Sequence, residues 1–126
     1  MRPLTWLYGL DVALLATHQA DAAYWREWDV FGVPGGVSFF LAFNLAAMAL
    51  LLAGFALVAG AHPRARAAAY ACAATGLVTC AIHGVFLHLD RHAFWSAPSL
   101  FVLGGVAACS VALAAQARGR QPPSVG

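Results

Sequence analysis

The sequence contains no lysine; its seven cationic side chains are all arginine, set against five carboxylates. The missing lysine and the wealth of alanine read as coding bias and carry no function. The scarcity of charge is more informative. Only 10% of residues are charged and 62% are hydrophobic, whereas soluble domains carry about a quarter charged residues. A chain of this composition belongs in lipid. A net charge of +2, with no basic stripe and no RNA-binding signature, argues against nucleic acid as a partner. The three cysteines, Cys72, Cys80 and Cys109, all lie in apolar runs, and an odd number in that setting argues against a disulfide framework. Also missing are a Gly-x-Ser-x-Gly elbow, a His-Glu-x-x-His helix and a phosphate loop, so none of the reactions those motifs mark is indicated.

What is present is a series of long apolar runs. A helix of about 20 apolar residues crosses the hydrocarbon core, and four segments fit, at about 4–25, 36–60, 67–89 and 97–117. Residues 1–117 therefore read as one all-α, integral membrane four-helix bundle, and the polar, proline-bearing residues 118–126 as a disordered tail. Arg2 and the "ADA" at Ala20–Ala22 imitate a signal peptide, but Gly9 and Asp11 interrupt its apolar centre, so the first segment is expected to stay as a span. With four spans, Arg2, Arg64, Arg66, Arg118 and Arg120 share one side, against Arg26 and Arg91 on the other. The positive-inside rule then places both termini in the cytoplasm. The stretch "THQADAAYWREWD", Thr17 to Asp29, and "HGVFLHLDRHAFW" meet at the outer surface. Tyr24, Trp28 and Trp95 there suit an aromatic belt at the headgroups.

Charged groups inside a span are expensive and mark function by default. On the first helix His18 and Asp21 are three residues apart and share a face, and Asp11 lies two turns deeper on nearly the same meridian. On the third helix His83 and Asp90 are seven apart, with Thr79 one turn deeper and Cys80 within reach of His83. The second helix offers only Asn44, and the fourth no ionisable group. If the first and third helices face each other, His18, Asp21 and His83 gather in one site in the outer half of the membrane, with His88 and Asp90 as further candidates. Glu27 falls on the opposite face if the first helix continues, and joins the site only if the chain bends back from the headgroups toward the bundle. The bland reading of such groups is interhelical glue worth about 1 kcal/mol, and it suits Asp11 as well as a functional one does. His88 and His92 lie near the boundary and His62 in a loop.

Two chemistries fit the gathered residues. As general acids and bases, His18, Asp21, Glu27, His83 and Asp90 would be catalytic, with proton affinities set apart by a low dielectric. As ligands, His18, Asp21, His83 and His88 would hold zinc or iron, "HQAD" being a His-x-x-Asp variant of the i, i+3 spacing of di-iron bundles. Either suits an enzyme for a lipophilic small molecule arriving from the bilayer, by isomerisation, cyclisation or hydrolysis. A proton- or cation-binding transport subunit, which at four spans would work as a homo-oligomer, and a membrane assembly protein are the alternatives.

The motif Thr17-His18-x-x-Asp21-Ala22, followed by Glu27-Trp28, resembles a family of small, uncharacterised bacterial membrane proteins with a Thr-His-x-x-Asp-Ala…Glu-Trp pattern. It is also similar to the HXXEE group, from which it departs in having Ala20-Asp21 in place of paired glutamates. The resemblance implies a four-helix membrane fold and importance for His18, Asp21 and Glu27, without naming a reaction.

Overall fold

The computed structural model describes residues 2–89 and 93–119. These form five helices and their connections, with no strand among the described residues: α1 (Pro3–Tyr24), α2 (Glu27–Val30), α3 (Gly36–Ala59), α4 (Ala65–His88) and α5 (Ala97–Arg118). The four expected long helices are joined by a fifth, the single turn α2. It exists because Arg26 takes a left-handed conformation (φ 52°), ending α1 and letting a new helix start at Glu27. A 2.8 Å ion pair from Arg26 to Asp29 spans that turn. Beyond α2, Gly32 (φ 64°) and Gly35 (φ 93°) supply backbone angles that favour glycine and turn the chain into α3. Pro3 and Pro98 sit in the first turns of α1 and α5, where a missing N–H costs nothing. The α3–α4 turn is closed by the His62 imidazole, whose Nδ1 accepts from the Arg64 backbone N–H at 3.1 Å. Asp90, Arg91, His92 and the polar tail from Arg120 onward lie outside the described residues.

α3, α4 and α5 are each long and apolar enough to cross a membrane. α1 is as long as α5, but Asp11, His18, Gln19 and Asp21 lower its apolarity and keep it out of that group. α3 turns much of its surface outward, with Leu41, Leu45 and Leu50 all exposed.

α1 packs on α3, α4 and α5, and α4 likewise touches the other three long helices, while α3 and α5 do not meet. The bundle is thus squashed along one diagonal, and α1 and α4 make direct contact across its centre. The α1 seam reads Leu4, Tyr8, Asp11, Leu15, His18, Ala22, and the α5 seam Ser99, Leu103, Val106, Ser110, Leu113, Ala117. Both alternate steps of four and three residues, the period of left-handed knobs-into-holes packing. Asp11 and His18 therefore occupy core positions by register.

Small residues permit the close approach. Tyr8 lies over Gly54 and donates to the Leu51 carbonyl at 3.0 Å. Ser110 lies over Gly76 and donates to Asp11 Oδ1 at 3.0 Å, while Cys72 Sγ donates to Asp11 Oδ2 at 3.6 Å. Asp11 is fully buried yet satisfied, which is what glue requires. A methyl at Gly76 would collide with the Ser110 hydroxyl and press on Val106. Gly76→Ala is accordingly expected to lower stability by about 1–3 kcal/mol, the usual cost of overpacking, read as an earlier thermal unfolding transition in detergent. An unchanged transition would mean that the α4–α5 contact is loose.

Candidate functional site

The short diagonal brings His18 of α1 and His83 of α4 together near the C-terminal ends of their helices. Their rings meet edge to face, centroids 4.5 Å apart and planes at 89°. Both are buried, 1% and 2% exposed. The third member comes from α2. Because left-handed Arg26 ends α1 and starts α2 against α1 and α3, Glu27 lies against the bundle, half-buried. One ligand atom from each of His18, Glu27 and His83 lies within 4.8 Å of the other two.

The hydrogen-bonding state of each ring matters more than proximity. His83 Nδ1 is 2.8 Å from the Thr79 carbonyl oxygen. A carbonyl only accepts, so Nδ1 carries the proton and Nε2 presents a lone pair. That Nε2 is buried and has no partner. Both nitrogens of His18 and Oε2 of Glu27 are also buried without partners. Buried polar groups are almost always paired, so a cluster left unpaired calls for a ligand or a role. Burial also pushes the Glu27 carboxyl up from 4.5 to about 7, so near neutral pH it exists in both protonation states.

Aromatic rings wall this cluster. Phe94 lies edge-on to His83 (4.6 Å) and 6.0 Å from His18, and Phe31 stands 5.3 Å from His83. On the remaining side opens a cavity of about 460 Å³ between α1, α2, α3 and α4, with His18, Glu27 and His83 among its lining residues.

The match to known families covers residues 4–120 and runs from α1 through α5. The chain belongs to the Family of unknown function (DUF6713). Every residue of the cluster falls inside the matched span. No curated protein and no solved structure matches the chain. Membership agrees with the sequence resemblance to a family without an assigned activity, and it leaves the chemistry to the geometry.

Of the residues that the sequence pattern gathers, three converge and others are placed elsewhere. Asp21, expected as both acid–base group and ligand, turns toward α5. Its Oδ1 accepts from Ser99 Oγ at 2.9 Å, in a network with Ser96 Oγ and the Trp25 indole N–H. Its place three residues after His18 holds on the helix surface, but a serine of the neighbouring helix takes its Oδ1, while Oδ2 is buried without a partner. His88, expected as a ligand, is exposed at the end of α4 and outside the convergent set. Five residues past His83 is about 140° round the helix. Asp90 lies outside the described residues. Cys80, within reach of His83 by spacing, instead donates to the Leu103 carbonyl at 3.3 Å. Tyr24 and Trp95 are exposed, as an aromatic belt requires, whereas Trp28 packs on Phe40 at 5.1 Å. Phe31, Phe94 and Ser99 contribute to the site or its surroundings without any spacing that marks them.

Proposed function

We propose that this is an integral membrane enzyme, a four-span bundle with both termini cytoplasmic. In it His18, Glu27 and His83 hold one divalent transition metal ion, zinc or iron, against a lipophilic small molecule. The reading rests on one observation: three ligating side chains from three helices converge within 4.8 Å, with two buried histidines offering unpaired nitrogens. Zinc and iron sites of the two-histidine, one-carboxylate kind place ligand atoms about 2 Å from the ion and so about 3–3.5 Å from one another. A contraction of up to about 1.5 Å closes this set. The Thr79 carbonyl does for His83 what an outer-shell acceptor does for a metal-bound imidazole: it fixes the tautomer and the ring plane. Three protein ligands leave a coordination position open, and an open position distinguishes catalytic from structural sites. Such an ion supplies a Lewis acid and an activated water for isomerisation, cyclisation or hydrolysis.

The test is metal analysis of the purified protein, with Glu27→Gln as the diagnostic variant. Wild type is expected to carry about one zinc or iron per chain, as in known three-ligand sites. With its carboxyl held near 7, Glu27 must lose a proton to ligate, so affinity is expected to fall by up to about tenfold per pH unit below that value. Uptake near pH 6 should release a proton that Glu27→Gln does not release. The metal-free protein shows the linked stability effect. Its folded state holds the Glu27 proton more tightly than the unfolded chain, so stability declines as pH rises from 4.5 to about 7. A chain that binds neither zinc nor iron, or a Glu27→Gln variant that binds identically at every pH, would sink the reading.

A further inference from the structure

The cavity beside His18, Glu27 and His83 carries its ionisable side chains at one end only. From His83 it follows α4 inward to Ala74, nine residues or roughly 13 Å. Along that length its walls include Phe43 of α3 and Val78 and Ile82 of α4, which are 57%, 57% and 44% exposed. Both helices are long and apolar enough to cross a membrane, so a groove edged by their outward-facing apolar side chains opens sideways toward lipid. A small apolar gas would leave its polar end unmatched, and a sugar or nucleotide would leave its length unmatched. The shape calls for a small polar head on an apolar chain.

Asn44 specifies the head. Its Nδ2 donates to the Phe40 carbonyl at 2.8 Å, and because that carbonyl only accepts, the amide orientation is fixed. Oδ1 is left as the other end of the amide, buried, without a partner, on a residue that lines the cavity. It is an acceptor and needs a donor. A carboxylate, ester or ketone head offers only acceptors to it, and an ammonium head offers no lone pair to an ion at the three ligands. A hydroxyl serves both, giving its hydrogen to Asn44 and its oxygen to the ion. We infer that the cavity binds a lipophilic alcohol, its hydroxyl at the His18–Glu27–His83 end bonded to Asn44 Oδ1 and its chain lying in the groove between α3 and α4. This rests on the metal reading for the oxygen's second partner; the hydrogen bond to Asn44 stands without an ion.

The experiment is calorimetric titration of the full chain in phosphatidylcholine nanodiscs with 1-decanol and with decyl methyl ether, after subtraction of the heats from empty discs. Metal-free and zinc-treated protein are run side by side. Decanol is expected to bind saturably, one per chain, and the ether about tenfold more weakly, because it leaves Asn44 Oδ1 unpaired. Asn44→Leu should weaken decanol by a similar factor and leave zinc content and helicity unchanged. Equal binding of ether and alcohol by the wild type would overturn the inference whether or not the variant folds, as would undiminished decanol binding by a folded Asn44→Leu. Failure of the metal reading is separate: the protein then takes up no zinc, while the metal-free titration still distinguishes alcohol from ether.

Discussion

Replacing His18 with leucine is expected to stabilise the metal-free protein while abolishing the metal binding proposed for it. His18 sits on the heptad seam of α1 between Leu15 and Ala22, 1% exposed, with neither ring nitrogen bonded. A buried polar group without a partner costs about 1–3 kcal/mol, and replacing it with an apolar side chain of similar volume recovers that cost. Leucine suits a seam position, and it keeps the contact with the edge of His83. The metal-stripped variant should therefore unfold at a higher temperature than the metal-stripped wild type. With one of three ligands gone, zinc affinity should fall by more than about a hundredfold, beyond the usual loss when an outer-shell partner is removed. The combination is diagnostic. A histidine kept as glue would make hydrogen bonds, and its loss would destabilise the fold. His83→Leu offers a graded control: one of its nitrogens is already paired with Thr79, so its removal should stabilise less while costing as much affinity. Thermal unfolding of both variants with and without zinc decides the matter. A lower transition for metal-free His18→Leu would show that the imidazole supports the fold.

The helices and the His18–His83 pairing were legible because both depend on periodicity. Apolar runs of about 20 residues set the long helices, and the charged groups interrupting them pointed to the two helices that had to share their polar stripes. Asp11 shows the limit of that logic. It lies on the same meridian as His18, but Ser110 and Cys72 satisfy it, and no spacing within α1 reveals what α5 brings opposite. The bond that Asp21 makes to Ser99 is hidden for the same reason, since Ser99 lies on another helix. Glu27 depends on the backbone of its neighbour. Arg26 at φ 52° is a conformation that arginine rarely adopts, and no residue-type signal marks it. The sequence left Glu27 between the headgroups and the bundle, and one left-handed residue decides in favour of the bundle.

Phe94 is the second residue of this kind, and its substitution should have a comparably large effect. Its backbone is left-handed (φ 67°), yet its ring is 1% exposed and packs against His83, His18, Trp25 and Phe31. A large aromatic residue holds that conformation only where surrounding contacts outweigh the strain. Truncation to alanine removes the contacts and retains the strain. Phe94→Ala is expected to lose about 3–5 kcal/mol, as buried phenylalanines typically do. Glycine removes the ring as well, but it occupies the left-handed region freely, where other residues pay about 1–2 kcal/mol. Phe94→Gly should therefore be the more stable of the two variants, by up to about 1 kcal/mol after the added flexibility of its unfolded chain. This reverses the ordinary order of alanine and glycine. Both variants open the histidine pair to water, which weakens electrostatic interactions at the site, so a chelator should strip zinc from either one faster than from wild type. Thermal unfolding ranks the stabilities and chelator kinetics ranks the exposure. If alanine proves more stable than glycine, the left-handed backbone at residue 94 is wrong; if zinc leaves all three proteins at one rate, Phe94 does not shield the site.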